Sequence, residues 1–228
     1  MAKKAKLKAK ISSGRRPTLL HEKKAKSRGH EVIAGIDESG VGPLAGPVVA
    51  VAVILNDYRF KSRIDDSKRL TPKSRLAAYS EILKKSVYSV SVIERDVIDR
   101  VNIYNATRLA MEKAVVGLSI KPDYLLIDGT IKLSIPYQGH SIKGGDRSSL
   151  SIACASILAK VTRDRIMNRL HNIYPQYGFC RNKGYGTAAH FEAIKKHGPS
   201  PLHRRSFEPV KSLALSKPRP LSRGASKG

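Results

Sequence analysis

The chain is short of acid, short of cysteine and devoid of tryptophan. Its 228 residues hold 18 Asp plus Glu against 43 Lys plus Arg, a formal net charge of +25. That imbalance disfavours a basic partner and points to a polyanion. Only two cysteines occur, Cys154 and Cys180, and they show no CxxC spacing. This excludes a disulfide framework or a zinc ribbon and fits a reducing compartment. The longest apolar run, Leu44 to Leu55, is interrupted by Gly46 and Pro47 and falls short of a bilayer span. No membrane partner is expected. The lysine-rich N-terminus MAKKAKLKAK has no apolar h-region, so the expected location is the cytoplasm.

What is present suits one domain with basic ends. A hydrophobic content of 41% over this length supports a single buried core. Residues 1–29 carry eleven lysines and arginines against Glu22 alone, with little apolar periodicity, and read as a disordered basic arm. Such an arm could keep the protein soluble, track phosphates or serve as an organellar targeting peptide. Residues 212–228 read as a second basic, disordered tail, leaving 30–211 as the folded domain.

Within 30–211 strand and helix patterns interleave, the mark of the α/β class. Val32 to Asp37 and Val48 to Leu55 are β-rich apolar runs around a Gly/Pro-rich turn, which suggests a hairpin. Thr71-Pro72 starts a helix. Val87 to Ile93 alternates as a third strand, Ala106 to Val116 has helical spacing, and Tyr124 to Asp128 is a further strand. Leu150 to Ile173 is the longest helical pattern; its small residues would let it lie close to the sheet. Thr187 to His197 gives another helix, stopped by Gly198-Pro199.

In so basic a chain the acids at strand ends and in glycine-rich loops draw notice. Asp37 and Glu38 are adjacent, and neighbours on a regular strand face opposite ways, so they can serve one site only where the strand ends or bends. Gly40, Gly42 and Pro43 supply a bend. Asp128 closes a strand before Gly129, and Asp146 follows Gly144-Gly145. Each acid alone could be a solvated turn former. Together they would repel one another and a polyanion unless divalent cations lay between them; hard oxygen ligands suit Mg²⁺ or Mn²⁺.

The wording around these acids is specific. AGIDESGVGPLAGPVVAVAVIL, DDSKRL, YLLIDG, SLSIACASILAKVTRDR, YPQYGF, NKGYGT and HRRSF follow in order, and over Val32 to Lys211 the chain resembles the ribonuclease HII family. The resemblance implies a ribonuclease H-like mixed sheet flanked by helices, with a small helical C-terminal part. It implies Asp37, Glu38, Asp128 and Asp146 as catalytic and metal-binding carboxylates in a two-metal mechanism, leaving 5′-phosphate and 3′-hydroxyl ends. The substrates it implies are RNA:DNA hybrids and DNA containing ribonucleotides, cut 5′ to the ribonucleotide, as in ribonucleotide excision repair.

The family reads the 2′-hydroxyl with a Gly-Arg-Gly backbone and a tyrosine, which match Gly40, Val41, Gly42 and Tyr185. Valine therefore replaces the arginine. Without the resemblance those residues would read as a turn and a packed aromatic. Lys68 matches a phosphate-contacting position, or is a solvated loop lysine. Lys143 lies one residue further from Asp146 than the family's lysine. Asp164, four residues after Lys160, reads as a helical ion-pair partner. His203, Arg204 and Arg205 read as a basic loop outside the catalytic set. A monomer is expected by default, and a replication clamp or polymerase partner is not readable. The alternatives are a non-catalytic hybrid-binding protein on the same fold, and a metal-dependent exonuclease or integrase sharing that broad fold.

Overall fold

The computed structural model describes residues 16–215. Five strands form one mixed sheet: β1 (Ile33–Ser39), β2 (Val48–Leu55), β3 (Ser86–Ile93), β4 (Tyr124–Asp128) and β5 (Gly139–Ile142). Their order is β3-β2-β1-β4-β5. The first three pair antiparallel, whereas β4 runs parallel to β1 and to β5. Eight helices accompany them among the described residues: α1 (Leu20–Lys26), α2 (Pro72–Lys85), α3 (Arg95–Val101), α4 (Ile103–Val116), α5 (Leu150–Ile173), α6 (Phe179–Asn182), α7 (Ala188–His197) and α8 (Val210–Leu215).

The strand period sorts β2 between two cores. Val48, Ala50, Ala52 and Ile54 pack with Ala106, Ala110, Met111 and Ala114 of α4. Val49, Val51, Val53 and Leu55 pack with α2 and α5. A strand covered on both faces reads as an unbroken apolar run. Thr71 caps α2 by accepting from the Ser74 amide, with Pro72 in the first turn. The small residues of α5 let it press onto β1: a Cβ on Gly35 would stand 2.3 Å from the Ser151 carbonyl carbon. A third core, built on Leu44, Met167, Tyr177, Phe179, Ile194 and Val210, unites α6, α7 and α8 with the end of α5 as the small helical C-terminal part.

The arm reading needs correction over its second half. Thr18 forms a parallel bridge with Ser149, and α1 follows. Glu22 is buried, and its Oε1 accepts from the Ser149 hydroxyl, the Ser151 amide and the Ser151 hydroxyl. One buried acid in a basic seven-residue helix leaves no apolar periodicity to read. The C-terminal boundary also shifts, because α8 continues to Leu215. The remainder of both predicted tails, residues 1–15 and 216–228, lies outside the described residues. Three further elements, α3, β5 and α6, have no counterpart in the sequence reading, being short and without clear alternation. No helix among the described residues is long and apolar enough to cross a membrane.

Candidate active site

β1 and β4 lie side by side and parallel, paired from Ile33↔Tyr124 to Ile36↔Ile127. Beyond that point β1 keeps only its β2 partner, pairing Asp37↔Val51, Glu38↔Ala50 and Ser39↔Val49. The cleft opens where β4 stops, so the two adjacent carboxylates flank it without the strand bending between them. Asp128 ends β4. Asp146 sits in the 3-10 turn Gly145–Arg147, which is tied to β4 because Asp128 Oδ1 accepts from the Gly145 amide at 2.6 Å. Gly144, at φ 68°, permits that turn.

All nine residues that the resemblance assigns to catalysis or substrate contact line one cavity of about 510 Å³: Asp37, Glu38, Gly40, Val41, Gly42, Lys68, Asp128, Asp146 and Tyr185. The same wall includes Ser39, Ser67, Ser156 and Lys160, which sequence reasoning missed. Ser156 was read only as a small packing residue of α5, yet it lines this wall, where its hydroxyl donates to the Ser67 hydroxyl at 3.2 Å. Lys160 pairs with Asp164 at 2.6 Å, as the spacing suggested, and still reaches the cavity. Lys143 instead lines a neighbouring depression beside β4 and β5.

Three of these carboxyls have raised pKa values, through burial first and neighbouring charge second. Burial lifts Asp37 well above the usual aspartate range, with the charges of Glu38 and Asp128 adding to it. Burial, then Asp128, lifts Glu38 to about 7. Burial, then Asp66 and Asp128, lifts Asp146 to about 6. Lys68 opposes the last two shifts. Hard oxygen donors that share a cavity and repel one another fit divalent cations. They do not yet form a closed cage: among the described residues no three Asp, Glu, His or Cys side chains stand ready around a single ion.

A family model for ribonuclease HII matches residues 34–210. The chain belongs to the ribonuclease HII family. It is 49% identical over 196 residues to the ribonuclease HII of Bacillus pumilus (strain SAFR-032), covering 86% of this chain and 77% of that one. To the ribonuclease HII of Caldicellulosiruptor bescii it is 48% identical, with 82% and 91% covered. The ribonuclease H2 of Pyrococcus horikoshii OT3 superposes with a TM-score of 0.70 at 25% identity, over 81% of this chain and 98% of that one. The fold is shared with Archaeoglobus fulgidus ribonuclease HII in its complex with PCNA (TM-score 0.65, 24% identity, 76% and 94% covered). It is shared too with Bst-RNase HIII in complex with Mn²⁺ (TM-score 0.67, 20% identity, 84% and 71% covered). Family membership makes the chain a ribonuclease H enzyme of metal-dependent type, an endonuclease whose substrates are RNA:DNA hybrids.

Two residues depart from their sequence reading. His203 and Arg204 are fully buried, not part of a basic surface loop; of the three only Arg205 is exposed. Val41 stands 38% exposed at the cavity mouth, so nothing in the fold demands an apolar side chain there.

Proposed function

We propose that the enzyme incises DNA 5′ to an embedded ribonucleotide as well as cutting the RNA strand of hybrids, leaving 5′-phosphate and 3′-hydroxyl ends. The observation carrying this is the meeting of four carboxylates with the Gly40–Gly42 loop and Tyr185 in one cavity. Asp37, Glu38, Asp128 and Asp146 would hold Mg²⁺ or Mn²⁺. When bound, such cations activate the attacking water and stabilise charge on the leaving oxygen. The Mn²⁺ complex of Bst-RNase HIII supports this donor chemistry without choosing between the two ions.

Tyr185 and the loop amides read the 2′-hydroxyl, the group that separates ribose from deoxyribose. Lys68 and Lys160, at the rim, contact phosphates. The reading assigns the protein to the cytoplasm and to the first incision of ribonucleotide removal. A sliding clamp is the natural macromolecular partner to try, given the PCNA complex of the Archaeoglobus relative.

The test is cleavage of a labelled DNA duplex containing one internal ribonucleotide, with Mg²⁺ or Mn²⁺. Incision 5′ to the ribonucleotide, lost in Asp37→Asn, is expected. Cleavage of a full hybrid without single-ribonucleotide incision would assign the narrowing to Val41. Failure on both would leave a hybrid-binding protein.

A further inference from the structure

The two structures proposed to read the ribose, the Gly40–Gly42 loop and Tyr185, belong to distant parts of the chain. A consecutive pair of buried residues, His203 and Arg204, grips both from behind.

Arg204 turns its hydrogen bonds to the backbone between β1 and β2, with the Phe207 ring centroid 5.0 Å from its guanidinium carbon. Its guanidinium donates to the carbonyls of Gly40 (2.5 Å), Val41 (2.9 Å) and Gly46 (2.9 and 3.1 Å). Its own amide donates to the Leu44 carbonyl at 2.8 Å. Arg163, on α5, adds a second buried guanidinium, which donates to the carbonyls of Pro47 at 2.9 Å, Ala45 at 3.1 Å and Lys183 at 2.9 Å. It therefore spans from the loop to the segment that carries Tyr185, whose ring centroid is 6.0 Å away. Gly40 must be glycine here: its φ is 105°, and a Cβ would meet Arg163 Nε at 2.3 Å.

His203 reaches the tyrosine by a relay. The Ser200 amide donates to His203 Nδ1 at 2.9 Å, so the ring proton lies on Nε2. That Nε2–H donates to His190 Nε2 at 3.0 Å, and His190 Nδ1–H donates to the Tyr185 carbonyl at 2.9 Å. Both rings are thereby neutral, in opposite tautomers.

A buried guanidinium without a carboxylate is costly and persists only where its donors are matched. Neither Arg163 nor Arg204 forms an ion pair among the described residues, yet each is held by at least three carbonyls. The loop's carbonyls thus point to the arginines, and the amides of Val41 and Gly42, on the cavity wall, donate to nothing among the described residues. Because Arg204 grips the carbonyl of residue 41, the loop keeps its shape whatever side chain that residue bears.

We propose that His203–Arg204, with Arg163 as second anchor, is a positioning element that sets the spacing between the Gly40–Gly42 loop and Tyr185, and through it the enzyme's response to a ribose at the cut. The inference rests on the ribonucleotide-cleaving reading above. It accounts for the tolerance of valine at position 41.

The experiment is single-ribonucleotide incision by the full chain, comparing native, Arg204→Ala, Arg204→Lys and His190→Gln below their melting temperatures. Misplacing a recognition element by about 1 Å costs roughly a hundredfold in rate. Arg204→Ala is expected to lose about that in kcat with KM for the duplex nearly unchanged. Free guanidinium ion should restore at least about tenfold. Arg204→Lys stays impaired, because an ammonium cannot serve carbonyls in a planar fork. A folded Arg204→Ala that cuts at the native rate overturns the proposal, as does a loss that follows only the unfolded fraction and ignores guanidinium. Should Arg204→Ala fail to fold, His190→Gln decides: reduced kcat at unchanged KM supports the relay and native kcat overturns it. If the native chain cuts hybrid but not the single-ribonucleotide duplex, the failure lies in the functional reading and the inference falls with it.

Discussion

Asp37 is a buried acid held beside two other acids. Burial pushes its pKa up, and the charges of Glu38 and Asp128 add to that. Removing its charge relieves the repulsion, so Asp37→Asn should melt above the native chain in chelator. A gain on the order of 1 kcal/mol corresponds to about 2–4 °C for a chain of this size. Divalent cation should raise the native midpoint, because an ion that binds only the folded state stabilises it by mass action. The same cation should barely move the variant. Differential scanning calorimetry with and without Mg²⁺ or Mn²⁺ reads both effects; a variant melting below native, with its cation response intact, would contradict the repulsion.

The segment between α7 and α8 matters through His203, which is buried among aromatic rings of α6, α7 and the turn before them. Its ring lies 4.8 Å from Tyr177 and 5.9 Å from Phe179, centroid to centroid. Burial, then the neighbouring His190, lowers its pKa to about 3, against about 6.5 when unfolded. The unfolded chain therefore binds the proton more tightly, and this residue's share of stability is complete above about pH 6.5 and is lost as pH falls towards 3. Glu38 acts in the opposite sense: its pKa is raised to about 7, so its share is lost as pH climbs from its unfolded value to 7. The difference between native and His203→Gln separates them. The destabilisation caused by the substitution should be largest near neutral pH and shrink between pH 6 and 4, as followed by urea unfolding. A difference that is flat with pH would show that His203 is not held neutral.

Charge belongs to the whole molecule, which carries +25 while its candidate active-site cavity is lined by four carboxylates. Nucleic acid must be drawn in by the basic surface before the acids and their cations meet it. The N-terminus divides into two parts under this view. Residues 18–29 are structural, held through Thr18 and Glu22 to the start of α5, next to the turn that carries Asp146. Residues 1–15, with six lysines and arginines, carry the open alternatives of a solubilising segment and one that tracks phosphates. Deleting 1–15 should reduce the salt dependence of duplex binding by about 0.9 in slope for each phosphate that the arm had neutralised, with little change in melting temperature. Deleting 1–29 should also lower the melting temperature, because without Glu22 the Ser149 and Ser151 donors stay buried. Fluorescence anisotropy over a salt series measures the slope; if removal of 1–15 leaves it unchanged, the arm does not bind phosphate.

What the sequence determined by itself was local or periodic. The unbroken apolar run of β2, the Thr71-Pro72 start of α2, the 24-residue pattern of α5 and the four acids in their motifs were all legible, because each is written within a few neighbouring residues. Tertiary structure decided the rest. Strand order, and with it the parallel pairing that sets Asp37 beside Asp128, depends on pairing between residues about ninety positions apart, which no local pattern encodes. The same holds for Glu22, which reads as one acid in a lysine run until its three donors are found on the far side of the chain. It holds for Arg204, whose neighbours in sequence mark it as surface, whereas its partners, the carbonyls of Gly40, Val41 and Gly46, are backbone groups. Any residue type supplies a carbonyl, so the sequence leaves no trace of a site built from them; only the fold, by bringing those carbonyls round one guanidinium, makes burying its charge possible.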